Sequence, residues 1–140
     1  MSDYLYFLQQ GEDRAPAKTV LLVDDSPEVR HVVRTFLECD ASFEVCGEAG
    51  DGPEAIKKAE ALAPDVVLLD FLMPGMNGID VANALKRLLP KTQIAIFSNY
   101  THDFSARLSS AIGIDAVIAK GSLVDMGKAL KKMIRKDAAS

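Results

Sequence analysis

Thr19-Val20-Leu21-Leu22-Val23 is a run of apolar and β-branched residues that stops abruptly at Asp24-Asp25. Two further runs stop the same way: Asp65-Val66-Val67-Leu68-Leu69 at Asp70, and Ala116-Val117-Ile118-Ala119 at Lys120. Each has the length and the β-branched content of a strand buried on both faces. In an open parallel sheet, ligands and chemistry collect outside the carboxyl ends of the strands. Three carboxylates and one ammonium are therefore expected in one crevice. Two carboxylates about 5 Å apart repel by roughly 3 kcal/mol at an effective dielectric of ~20. Such crowding points to a divalent cation, or to anionic chemistry that a cation makes possible.

Between these runs the apolar period changes from strand to helix. Ser26 can cap a helix and Pro27 suits its first position. Val29, Val32, Val33, Phe36 and Leu37 then form one stripe. Phe43-Glu44-Val45-Cys46-Gly47 is expected as a short second strand. Asp51-Gly52-Pro53 opens a helix with Ile56, Ala59 and Leu62 inward, closed by Pro64. A loop with Pro74 and Gly75 as breakers follows Asp70 and runs to Asn77. The third helix places Val81, Leu85, Leu88 and Leu89 inward and stops at Pro90. Gln93 to Phe97 forms a fourth strand ending at Ser98, and Phe104, Leu108, Ala111 and Ile112 mark a fourth helix. Ser122 and Asp125 resemble a capping box for a last helix that buries Leu123, Met126, Leu130, Met133 and Ile134. The fold class is α/β: (βα)5, a doubly wound five-stranded parallel sheet in a flavodoxin-like three-layer sandwich. Residues 1–18 are expected as an N-terminal arm, 19–136 as the domain and 137–140 as a tail. The arm holds the apolar cluster Tyr4-Leu5-Tyr6-Phe7-Leu8, which is either a docking segment for the body or a partner, or a short arm of little consequence.

The 140 residues suffice for one well-filled core. No apolar run approaches the ~18 residues of a membrane span, and no secretion signal is visible. Cys39 and Cys46 match no metal spacing and are expected as reduced thiols in a cytoplasmic protein. The net charge of −4 is uneven: residues 1–70 hold 15 acidic and 6 basic residues, and residues 71–140 hold 5 and 10. The basic excess gathers on the last helix as Lys128, Lys131, Lys132, Arg135 and Lys136. This is either a solvated face or a docking face for an output protein. The overall balance argues against nucleic-acid binding by this domain. His31 and His102 have no spacing that suggests a metal or a dyad.

An all-oxygen site of this kind suits Mg²⁺ (or Mn²⁺), which prefers octahedral oxygen ligands and keeps several waters. Asp25 and Asp70 would be direct ligands, Asp24 would act more through a bound water, and the carbonyl of Leu72 could complete the protein share. Asp70 can then serve as a carboxylate nucleophile toward a phosphoryl group. Ser98 and Lys120 would contact the phosphoryl oxygens, one by hydrogen bond and one by charge.

The segments VLLVDDSP at 20–27, DVVLLDFLMPGMNG at 65–78, IAIFSNY at 94–100 and VIAK at 117–120 resemble the receiver domain of two-component response regulators. The resemblance covers residues 19–135, and its form is that of a single-domain, chemotaxis-regulator-like receiver. It implies that Asp70 is the phosphoacceptor, that Asp24 and Asp25 are the acidic metal pair, and that Ser98 and Lys120 stand at the family's hydroxyl and lysine positions. It implies a donor that is a histidine kinase or a histidine phosphotransfer protein in a phosphorelay. It also implies a signalling domain rather than an enzyme with a turnover of its own, acting by protein–protein contacts without a membrane. Three positions depart from the family pattern. Val117 stands where an aromatic is usual, Gly121 where proline is usual, and Asn99 where a very small residue is usual. Any switch must then work without an aromatic flip at Val117, through the loop from Asn99 to Asp103 or through Tyr100.

Other function classes fit less well. Haloacid-dehalogenase-type phosphatases carry Asp-x-Asp after the first strand, whereas the aspartates here are adjacent. A flavin carrier needs a hydroxyl- and glycine-rich phosphate loop where Asp24-Asp25 would repel phosphate. A degenerate receiver that binds partners without phosphorylation, and the receiver half of a DNA-binding regulator, remain as alternatives. Arg135 to Ser140 follow Ile134 of the last helix. If this is the whole product, output is expected through a protein contact or onward phosphotransfer; if it is a piece of a longer chain, a DNA-binding domain could follow.

Overall fold

A computed structural model describes residues 16–71, 73, 75, 78–98 and 113–139. Five strands form one parallel sheet: β1 (Lys18–Val23), β2 (Phe43–Ala49), β3 (Val66–Asp70), β4 (Gln93–Ser98) and β5 (Ala116–Ala119), in the order β2-β1-β3-β4-β5. The described helices are α1 (Pro27–Glu38), α2 (Gly52–Leu62), α3 (Gly78–Leu88) and α4 (Leu123–Ala139). The expected fourth helix between β4 and β5, with Phe104, Leu108, Ala111 and Ile112, lies outside the described residues. So do the arm with Tyr4 to Leu8, and Leu72, Pro74, Asn77, Asn99, Tyr100 and His102.

The period of two in the strands divides the core into two layers. Leu21 and Val23 of β1, Val67 and Leu69 of β3, and Ile94 and Ile96 of β4 face one way, toward Ala55 and Ala59 of α2 and Val81, Ala82 and Leu85 of α3. Val20, Leu22, Val66, Leu68, Ala95 and Phe97 face the other way, toward Val33 and Leu37 of α1 and Met126, Leu130 and Met133 of α4. Both faces of the inner strands are thus covered, which is why these strands read as unbroken apolar runs.

Local signals set the helix ends. The Ser26 hydroxyl accepts from the Val29 amide at 3.2 Å, and the Asp51 carboxylate accepts from the Glu54 amide at 2.8 Å. The Ser122 hydroxyl accepts from the Asp125 amide at 3.2 Å, so Ser122 caps α4. Helix α2 ends on Ala63 in the left-handed region, φ 45°, immediately before Pro64. At the far end of the sheet Asp65 accepts from the Thr19 amide and hydroxyl at 2.8 and 3.1 Å, which pins β1 against the start of β3.

Three inward assignments need correction. Val32 is 50% exposed, Leu62 43% and Leu88 47%. Leu62 and Leu88 are the final residues of α2 and α3, where the last turn has little sheet beneath it. Leu62 lies over Gly47 of β2, an edge strand with no outer neighbour to complete its burial. Strand β2 also runs two residues further than expected, to Ala49. Its register against β1 slips after Val20↔Val45 to Leu21↔Gly47, leaving Cys46 as the extra residue of a bulge. The Cys46 thiol donates to the Val20 carbonyl at 3.5 Å, and burial pushes its pKa up. Cys39 and Cys46 are both free thiols.

Candidate functional site

The strand order reverses between β1 and β3, and the crevice at that point is where ligands bind in open α/β sheets. Asp24 follows β1 directly and Asp70 is the last residue of β3. Both are buried, at 5% and 6% exposure, whereas Asp25 is exposed. The three carboxylates offer oxygens that all lie within 4.8 Å of one another. Of the expected site residues, Asp24, Asp25, Asp70 and Lys120 come together. Ser98 is buried at the end of β4, the neighbour of β3, and its carbonyl accepts from the Lys120 amide at 3.1 Å. Leu72 lies outside the described residues.

Lys120 answers the charge problem posed by the acids. Its Nζ lies 3.1 Å from Asp24 Oδ2 and 3.2 Å from Asp70 Oδ1, and 5.5 Å from the centre of the Phe97 ring. Burial works against the ammonium, but the hydrogen bond to Asp24 and the charges of Asp70 and Asp24 outweigh it. The lysine pKa is therefore raised above its usual 10.5. The other Asp24 oxygen, Oδ1, accepts from the Ser26 amide at 2.9 Å. Both oxygens of Asp24 are thus engaged by the protein, while Asp25 faces solvent. The set is all oxygen, partly buried and strongly anionic, which fits a hard divalent cation.

Three residues that build the site are not evident from the sequence. Arg30 donates through Nη1 to the Asp24 carbonyl and through Nε to Glu48 at 3.0 Å. Glu48 also accepts from Arg34 Nε at 2.7 Å. Burial tends to raise the Glu48 pKa, but the hydrogen bonds from Arg34 and Arg30 outweigh it and hold the carboxyl below its usual value. The backbone that carries the acidic pair is thereby tied to β2. On α1 Arg30 reads only as a polar position, and its reach back to Asp24 has no periodic signature. Gly78 is the second: its amide donates to the Phe71 carbonyl at 2.8 Å. A Cβ there would lie 2.9 Å from Phe71 Cα and 3.0 Å from the Asp70 carbonyl oxygen. Only glycine lets α3 start this close to the chain leaving Asp70. Phe97, whose ring backs Lys120, is the third.

Arg30→Gln is expected to weaken divalent-ion binding several-fold while leaving the fold intact, because Asp24 loses its backbone anchor and keeps its ligands. Titration of the tertiary signal with Mg²⁺ checks this; an unchanged dissociation constant would remove Arg30 from the site.

The response regulator receiver domain model matches residues 20–134. The response regulator protein VraR of Staphylococcus aureus is 34% identical over 117 residues, which is 83% of this chain and 56% of VraR. The chain therefore spans a little over half the length of that curated relative. Among solved structures, the response regulator domain of Thermotoga maritima CheB superposes with a TM-score of 0.76 at 30% identity, covering 87% of this chain and 97% of that one. The isolated REC domain of RcsB from Salmonella enterica serovar Typhimurium, solved with the phosphomimetic BeF3−, gives a TM-score of 0.77 at 26% identity, covering 85% and 89%. The 2-1-3-4-5 sheet, the acids at its switch point and the extent of these matches lead to one assignment: the chain belongs to the family of response regulator receiver domains of two-component systems.

Proposed function

We propose that this domain, spanning residues 19–136, takes a phosphoryl group from a phosphohistidine onto Asp70 and signals through protein–protein contacts. The observation that carries this reading is the convergence of Asp24, Asp25 and Asp70 at the switch point, with Lys120 bridging the two buried acids. A carboxylate oxygen of Asp70 attacks phosphorus. The new P–O bond forms as the P–N bond to the donor histidine breaks, and the electron pair returns to the imidazole nitrogen. Lys120 holds its positive charge throughout and can move from the carboxylates to the phosphoryl oxygens. Ser98, at the adjacent strand end, supplies a hydroxyl to the same oxygens. Asp25 and Asp70, with the Leu72 carbonyl, would hold Mg²⁺ or Mn²⁺ directly, and Asp24 would act through a water. Bound there, the cation neutralises charge on the acids and on the incoming phosphoryl group. The donor class is a histidine kinase or a histidine phosphotransfer protein, and the setting is the cytoplasm. Among the described residues no helix is long and apolar enough to cross a membrane.

Mg²⁺ is expected to stabilise the domain. With an affinity on the order of 1 mM, about 10 mM Mg²⁺ adds roughly 1.4 kcal/mol. That corresponds to a rise of about 3–5 °C in melting temperature. Asp25→Ala should reduce the rise. Superimposable melting curves with Mg²⁺ and with chelator would count against a metal site.

The switch is expected to run through β5 and α4. Val117 pairs with Ile96 and is partly buried against the core, with no ring to swing outward. A phosphoryl group that engages Ser98 and Lys120 makes the differential contact that any two-state response requires. Amide exchange with and without beryllofluoride is the experiment that tests this function. Altered protection in β5 and α4 is the expected result. Changes confined to the acids would reduce the domain to a phosphate shuttle.

A further inference from the structure

At the end of the sheet away from the acids, a groove of about 760 Å³ lies between the C-terminal end of α1, the start of β1 and α4. Phe36, Ala41, Ile134 and Pro16 supply apolar surface, and Lys18 and Asp40 stand among its polar lining. Its size falls in the range of sites that hold compact apolar ligands. Phe36 and Ile134 are packed only partly into the core, so each leaves apolar surface for an occupant. One rim is fixed by the ion pair of Asp40 with Lys131 at 2.6 Å.

We propose that this groove is the docking site of the chain's own N-terminal cluster, Tyr4-Leu5-Tyr6-Phe7-Leu8. The described chain enters at Pro16, itself part of the groove wall. Residues 9–15 separate it from the cluster. Seven residues reach up to about 25 Å when extended. A tether this short places the cluster at an effective concentration on the order of millimolar, so modest apolar contacts suffice. The tether carries Glu12, Asp13 and Arg14, a net charge of −1, and Lys18 stands on the wall. Lys132 and Arg135 neighbour Ile134 in sequence on α4, while Lys131 is already paired with Asp40. Docking there would clamp α1 to α4 at the end remote from Asp70 and leave access to the acids open. The inference does not depend on phosphorylation.

Cys39 lines the groove and reports on it, while Cys46 lies in the β2 bulge as an internal reference. The full chain and its double variant Tyr6→Ser with Phe7→Ser would be alkylated with iodoacetamide, and each cysteine followed by peptide mass. The expected result is Cys39 labelling several-fold faster in the variant, Cys46 unchanged, and wild-type rates independent of protein concentration. Equal Cys39 rates would overturn the proposal. Wild-type protection that vanishes on dilution would assign the groove to a second copy of the chain and overturn it as well. Equal acceleration at both cysteines would mean that the arm braces the whole fold rather than covering this groove, again against the proposal.

Discussion

Asp70→Asn is expected to abolish phosphorylation by a small phosphodonor, an all-or-none effect. Asparagine keeps the shape and fills the same buried position at the end of β3. It removes the anionic oxygen that must form the new bond and one charge of the acidic set. Among the described residues none replaces that oxygen: Asp24 has both of its own occupied by the Ser26 amide and by Lys120, and Asp25, at the solvent-exposed side of the cluster, is left to the cation. The wild-type reaction should also stop when a chelator removes divalent ions, because two or three like charges would then face the incoming phosphoryl group. Intact-mass measurement of wild type and variant, each with Mg²⁺ and with chelator, checks both statements. Equal phosphorylation of the variant would show that the acceptor lies elsewhere.

Lys120→Met has the second-largest expected effect, and its size depends on the metal. The ammonium is the direct counter-ion of two carboxylates that are each under a tenth exposed. Removing one partner of a buried pair leaves uncompensated charge and is strongly destabilising. With Lys120 itself partly solvated, a loss of about 2–3 kcal/mol is expected, or a fall of about 6–10 °C in melting temperature. Saturating Mg²⁺ should restore much of it, so the Mg²⁺-induced rise in melting temperature should be larger in the variant than in wild type. The pH dependence follows from the raised lysine pKa. Folding stabilises the protonated lysine, so this contribution is fully present below pH 10.5 and is lost as pH rises through the folded-state value. The variant should lack that alkaline loss. A variant as stable as wild type without metal would mean that the bridge to the acids contributes nothing.

Much of this architecture was legible because inner strands of a doubly wound sheet are apolar on both faces. Val20 to Val23, Val66 to Leu69 and Ile94 to Phe97 announce themselves without knowledge of their neighbours. The charges Asp24 and Asp70 that end the first two, and Lys120 that follows Ala116 to Ala119, mark the functional edge because no apolar face requires a charge there. Edge effects were harder to read. Leu62 and Leu88 satisfy the helical period, but their burial depends on how far each helix overhangs the sheet. Cys46 sits in a bulge that only the pairing of β1 with β2 reveals. The Arg30–Asp24 contact joins a side chain to a backbone carbonyl, and no residue pattern encodes a carbonyl. The closeness of Gly78 to Asp70 likewise belongs to the tertiary packing, although the glycine itself was visible beside Asn77.

The most direct test of the account is chemical identification of the phosphorylated side chain. Wild-type protein would be incubated with a small phosphodonor and Mg²⁺, then treated with borohydride, which reduces an acyl phosphate and converts the modified aspartate to homoserine. Peptide sequencing by mass then reads the position. The account predicts homoserine at residue 70, dependent on Mg²⁺ and on the phosphodonor. Homoserine at residue 24 or 25 instead, or at residue 70 to the same extent with chelator present, would contradict it.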